Sequence, residues 1–418
     1  MNNIKQATNN VQKMTIDVYT SIPIKYNDKN KLTKAHKEEP MNSALNILEM
    51  LNLRGKMEFG SSPMALSDYG RLDICRYSIG KVELKLLEET AVAELLISID
   101  AKTQCGVLHL ILLPLNLNVT DYLDKVSIND LEILNKGKTE NLLYYLKETY
   151  NIEKTGTSKN FLTICKNRND ISDDLLSSIL FCEQYFEENS SLSIVVDEDI
   201  KNILSKGNAQ YKYANVYAYK NAIVQILNSH YWDNKIEMEC ITLFYIELIL
   251  FEEATIEKAS SEIISLLANT NNYRPKEILQ IVDEILTEHV KSIGFENLRM
   301  NYSSSQKSMN YIRDAFEVEE KKAIFQKNQK ELLMIYDIRS DIVDKEETKF
   351  ISIIATIFTI VATTFTTISF IEAPLSNTKL ILTTLCILSV LFVLVYRRYM
   401  QRKIWHKKFC KKNKLEKQ

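Results

Sequence analysis

Residues 331–370 read ELLMIYDIRSDIVDKEETKFISIIATIFTIVATTFTTISF. The first half is heavily charged, and no charge follows Lys349 in the second. Neither half contains glycine or proline, and none occurs between Gly294 and Pro374, a run of 79 residues. Nothing in such a run forces a helix to stop. The sequence therefore predicts one helix from Gln306 to Ile371, roughly 100 Å long at about 1.5 Å per residue, with Ser303, Ser304 and Ser305 as the one expected break. A charged helix of this length is unstable alone in water. Met309, Ile312 and Phe316, then Ile335, Ile338 and Ile342, recur at three and four residues, the spacing of a helix packed against others. Segments 241–267 and 278–290 are similarly amphipathic, which predicts a helical bundle around a stalk.

Residues 350–371 form an uncharged run of 22 residues, long enough on its face to cross a hydrocarbon core of about 30 Å. A second run, LILTTLCILSVLFVLVY at 380–396, has 17 residues, and only EAPLSNTK separates the two. The expectation is a two-helix transmembrane hairpin whose first helix ends before Pro374. Ten Lys or Arg against the single acid Glu416 follow in 397–418, so the positive-inside rule places that tail in the cytoplasm. The start, MNNIKQATNNVQKM, has no apolar stretch of signal-peptide type. Both termini are thus expected in the cytoplasm of a multi-pass protein of the inner (cytoplasmic) membrane, with membrane lipid as one partner.

Ser352, Thr356, Thr359, Thr363 and Thr366 step by four, three, four and three residues, which puts five hydroxyls on one helix stripe. Two readings stay open. Small and hydroxyl residues suit close helix packing, with the hydroxyls bonded back to the preceding turn. Several copies around an axis could instead line a narrow pore with this stripe, which requires a symmetric homo-oligomer. In that case Lys345 and Lys349 stand at the inner mouth, and Glu372 and Asn377 at the opposite entrance.

The tail carries about +9 in a chain whose net charge is −2, so the remainder is acidic, which argues against direct nucleic-acid binding. The seven cysteines, 75, 105, 165, 182, 240, 386 and 410, form no close pair suited to zinc or disulfide exchange. The five histidines are isolated, KTGTSKN at 154–160 lacks the spacing of a nucleotide-triphosphate loop, and no GxGxxG occurs. No nucleophile, base and orienter constellation is legible, so no enzyme is predicted.

From about residue 15 to 204, apolar runs such as IDVYTSIPI, ELLISI (94–99), GVLHLILLP and SLSIVV alternate with helix-like stretches, notably 123–150 and 171–188. That alternation predicts an α/β or α+β domain. In QYKYANVYAY, Tyr211, Tyr213, Tyr217 and Tyr219 fall within nine residues. They read either as an aromatic strand face packed on a helix or as a ligand-binding set able to stack on a base.

An acidic α/β domain, a helical middle, a stalk running into a Thr-rich span and a basic tail together resemble the CorA family of divalent-cation channels. The local likeness is strongest across 331–370. The resemblance implies a homopentamer whose first span lines the pore. That family places Gly-Met-Asn just after the pore helix, where this chain has FIEAPLSN, so magnesium or cobalt selectivity does not carry over. CorA-like proteins without the motif are identified as accessory effectors of type III CRISPR systems. Their resemblance implies antiviral gating by a nucleotide second messenger, S-adenosylmethionine joined to AMP (SAM-AMP), bound in the cytoplasmic domain. The alternative is a CorA-type Mg or Co transporter, with Mg as its ion. The expected architecture is an α+β cytoplasmic domain at 1–205, a helical and partly strand-containing domain at 206–305, a stalk at 306–349, the hairpin at 350–396 and a basic tail at 397–418.

Overall fold

The computed structural model describes most of the chain between 16 and 370. Residues 1–15, 27–41, 60–73, 87–88, 182–203 and 371–418, with several short loop positions, lie outside the described set. The chain divides into two compact units, Met1–Tyr336 and Asp337–Gln418.

The first unit is built on one mixed 11-stranded sheet. Its centre is β1 (Ile16–Tyr26), the predicted IDVYTSIPI strand. On one side lie β4 (Cys105–Leu115), β3 (Glu89–Asp100), β2 (Ile74–Leu86), β5 (Glu132–Asn135) and β6 (Lys138–Asn141), all antiparallel. On the other side β1 pairs with β7 (Ile152–Lys154) and β8 (Lys159–Ile164). The sheet continues through β11 (Ala222–Leu227), which runs parallel to β8, then β10 (Ala214–Tyr219) and β9 (Ala209–Gln210). It thus carries on past residue 205 with strands from the tyrosine-rich segment.

The two faces of the sheet follow from the two-residue period of a strand. Val18, Ile22 and Ile24 of β1 join a core with Tyr122 and Leu123 of α2 (Val119–Ser127), Leu142 and Leu146 of α3 (Leu142–Tyr150), and Leu176 and Ile179 of α4 (Asp173–Phe181). The opposite face, through Tyr19, Val107 and Phe161, packs on α1 (Asn42–Phe59), α5 (Lys235–Ala268) and α7 (Ser303–Ala315). A third cluster joins the second half of α5 to α6 (Pro275–Glu296) and to Phe325 and Leu332 of α8 (Val318–Phe370).

Three expectations are corrected here. The helix-like stretch 123–150 is broken by the β5–β6 hairpin: Asn129 (φ 59°) turns the backbone left-handed before β5, and Gly137 (φ 76°) does so between β5 and β6. The single helix expected from Gln306 is two: Ser303–Ser305 begin α7, and the break falls at Glu317, whose φ of 57° no α-helix tolerates. The third correction is the membrane architecture. Among the described residues no helix is long and apolar enough to cross a membrane. α8 runs for 53 residues, but its charges continue to Lys349. The expected two-pass hairpin, the transmembrane assignment and the inner-membrane location are accordingly not supported. Residues 380–396 and the basic tail lie outside the described set.

Candidate functional site

The face of the sheet that meets α5 is unusually polar, because the odd-numbered positions of β1 are Asp17, Tyr19 and Ser21. Beside them stand Ser98 of β3, His109 of β4 and Thr163 of β8, all buried. α5 answers with Glu239, Glu247, Glu252 and Glu253, each 0% exposed. From Glu239 to Ile256 this helix is buried at every position but Ile241, as its sequence ECITLFYIELILFEEA demands, and these acids are out of contact with water. An unmatched buried carboxylate is costly by several kcal/mol, so each needs partners.

Glu247 has the fullest set. The Arg76 guanidinium grips it through Nη2 at 2.5 Å from Oε2 and Nε at 3.0 Å from Oε1. Ser98 Oγ donates to Oε1, and His109 Nε2 lies 3.7 Å away. Burial pushes this carboxyl up, but Arg76 and then His109 overcome it and hold its pKa down to about 2. Arg76 Nη1 also donates to Asn52 Oδ1 at 2.8 Å, which ties in α1. Ser21 Oγ is 2.8 Å from His109 Nδ1, so hydroxyl, imidazole and carboxylate stand in a row. All three are 0% exposed, and the row offers no atom to a substrate.

The neighbouring pair Glu252 and Glu253 reaches the other way. Arg313 of α7 meets Glu252 at 2.6 Å, and Lys321, in the first turn of α8, pairs with Glu253. These two cations flank the left-handed Glu317, so the carboxylates are matched from both sides of the α7–α8 joint. Glu253 also accepts from Thr157 N at 3.3 Å, with Lys159 Nζ 4.0 Å from its other oxygen. The predicted loop KTGTSKN thus wraps a carboxylate of its own chain. Gly156 permits this: a Cβ there would stand 2.9 Å from Pro23 Cγ and 3.1 Å from Glu253 Oε1. Lys159 lies 4.5 Å over the Phe316 ring and donates to Lys220 O and Asn221 Oδ1, both at 2.9 Å. Lys220, itself left-handed at φ 42°, lies 3.9 Å from Glu317.

The expected site residues are not brought together. Tyr217 is buried and accepts from Arg168 Nε at 3.0 Å, Tyr219 packs edge-on against Phe181, and Tyr213 meets Tyr231 edge-on. Tyr211 lies outside the described residues. Ser352, Thr356 and Thr359 are exposed on α8, with the two threonine hydroxyls donating to Ser352 O at 2.8 Å and Ala355 O at 2.7 Å. Thr363 and Thr366 are in the same helix, but their side chains are outside the described set. Lys345 and Lys349 are exposed on α8, and Glu372 and Asn377 are not described. Among the described residues no group of three or more His, Cys, Asp or Glu could hold a metal ion.

Sequence reasoning missed the four glutamates. Their signal was present: acids recurring inside an apolar run mark buried, partnered charges rather than an amphipathic face. No protein-family model, curated protein or solved structure matches the chain.

Proposed function

We propose that this chain is a ligand-responsive regulatory protein rather than an enzyme. In this reading a nucleotide second messenger of the SAM-AMP type binds the α/β unit and resets the packing of α5. The pairing of α5 with α7 and α8 changes in turn. The observation that carries the reading is the adjacent pair Glu252 and Glu253, both fully buried and matched across the α7–α8 joint by Arg313 and Lys321. A shift of α5 by a fraction of a turn separates these partners, and a separated buried pair costs about 3–5 kcal/mol. A signal that displaces α5 is therefore felt at α8. The nucleotide chemistry of the messenger rests on the resemblance of the chain as a whole to the CorA-like effectors that lack Gly-Met-Asn.

The same reading includes self-association. Ile324, Met334 and Ile338 are 62%, 62% and 53% exposed on α8, more apolar surface than a lone helix leaves in water without a partner. A second copy of the chain is the proposed partner. The test is calorimetry of the full chain with SAM-AMP and with cyclic oligoadenylates, alongside sedimentation to read the assembly. A heat of binding for one messenger class, with faster amide exchange around residues 313–323 in the bound form, supports the proposal. Silence toward every nucleotide probe defeats it.

A further inference from the structure

The start of α5 holds a group of ionisable side chains that the reading above does not use. Asp17 of β1 and Glu239 of α5 are 2% and 0% exposed, and they influence one another electrostatically. One cation is at hand, Lys235, with Nζ 2.5 Å from Asp17 Oδ2 and its side chain 32% exposed. Tyr19 Oη donates to Glu239 Oε2 at 2.6 Å, and Glu239 Oε1 has no hydrogen-bond partner among the described residues. The groups facing Glu239 are Asp17 and Tyr19 from β1, Thr163 from β8, Cys165 one residue beyond that strand, and Lys235 and Cys240 from α5 itself. Burial pushes both thiols and the Tyr19 phenol up, so these three stay neutral. Lys235 stays charged: burial lowers its pKa, but its bond to Asp17 and the acidic groups around it together more than offset that. Charge balance then decides the matter. One lysine matches one buried carboxylate, Asp17 has taken it, and a second buried negative charge 0% exposed has no counter-ion.

We propose that Glu239 carries a proton at neutral pH, and that this one proton is a switch docking the first two turns of α5 onto β1 and β8. Loss of the proton places a negative charge without a counter-ion beside the Asp17–Lys235 pair in the interior. The contact between helix and sheet loosens in response. Burial first, then Asp17, raises the Glu239 pKa from 4.5 to about 8, against the pull of Tyr19, Thr163 and Lys235. The folded pKa is thus above the ordinary one. The stabilisation is whole below 4.5, declines through the window from 4.5 to about 8, and is gone above it. The proposal is independent of any messenger, since it concerns only groups on β1, β8 and α5.

Infrared difference spectroscopy of the full chain tests it directly, because a buried protonated carboxyl has its own carbonyl stretch. At about pH 6 one such band is expected, bleaching with a midpoint near 8 and absent from Glu239→Gln. Amide exchange supplies the second readout. After correction for intrinsic rates, the opening constant of the first turns of α5 rises about tenfold per pH unit between roughly pH 5 and 8 and levels off above, whereas Glu239→Gln is flat. Should that variant not fold, Tyr19→Phe serves instead: it removes the donor that favours the ionised form and moves the midpoint upward. A carboxyl already ionised at about pH 6, or an unchanged pH profile in Glu239→Gln, overturns the proposal.

Discussion

Replacing Arg76 by Met removes the one Lys or Arg that touches Glu247 among the described residues and leaves a fully buried carboxylate to Ser98 and His109. Two routes give the size of the effect. Breaking one member of a buried ion pair typically costs about 3–5 kcal/mol. The Glu247 carboxyl is held from 4.5 down to about 2, a difference of roughly 2.5 pH units and hence about 3 kcal/mol of preference for its charged form. The expected loss for Arg76→Met is therefore about 3 kcal/mol, read as a lower urea midpoint at unchanged slope. Glu247→Leu strands the guanidinium and is also destabilising. The double variant, with both charges gone and similar volume kept, recovers much of either loss. Acid adds a sign test. In the native chain the Glu247 contribution is present above 4.5 and is lost as pH falls toward about 2. Without Arg76, burial dominates and raises the carboxyl pKa, so Arg76→Met gains stability on mild acidification where the native chain does not. Arg76→Met within about 1 kcal/mol of the native chain, or a double variant as weak as the two singles added, would refute the claim that this pair is matched charge rather than incidental contact.

Three further outcomes are expected. Gly156→Ala pushes a methyl against Pro23 and Glu253 and is expected to lower stability by about 1–3 kcal/mol in the same unfolding assay. Lys321→Met leaves Glu253 with Lys159 at 4.0 Å as its nearest remaining cation, so amide exchange at the α7–α8 joint should quicken, whereas Lys321→Met with Glu253→Gln restores much of the protection. Thr356→Val deletes a hydroxyl that bonds back to Ser352 O of its own helix, and thermal unfolding should shift by no more than the equivalent of about 1 kcal/mol.

The sequence disclosed local order better than assembly. IDVYTSIPI, ELLISI and GVLHLILLP are strands because β-branched and aliphatic residues dominate them, and that signal is contained within each run. The order of strands is not local: β1 comes first in the chain, yet it lies between β4 and β8, at separations no window of residues encodes. The same limit explains α5. Its periodicity in isolation suggests one apolar face, but the sheet, α1 and α7 pack around most of its first half, and only then do Glu239, Glu247, Glu252 and Glu253 become interior carboxyl groups. The stop at Glu317 was hidden for a related reason. Glutamate is a good helix former, so nothing in its residue type announces the left-handed backbone it adopts beside Lys220 of the β10–β11 turn.

The distribution of partners along α5 also bears on why charges stand where aliphatic side chains would fit. Buried ion pairs add little net stability over well-packed apolar residues, so stability alone does not account for three of them, at Glu247, Glu252 and Glu253, on one helix. Their distinguishing property is directional: an apolar contact tolerates sliding, whereas a guanidinium or ammonium facing a carboxylate does not. Glu239 looks to β1, Glu247 to β2, β3 and β4, Glu252 to α7, and Glu253 to α8 and the β7–β8 loop. Each element is thereby registered against α5 by a separate polar contact, and a displacement of α5 along its axis breaks several at once. A helix held this way has few intermediate positions. That is the property a two-position regulatory element requires, and apolar packing of the same volume would not supply it.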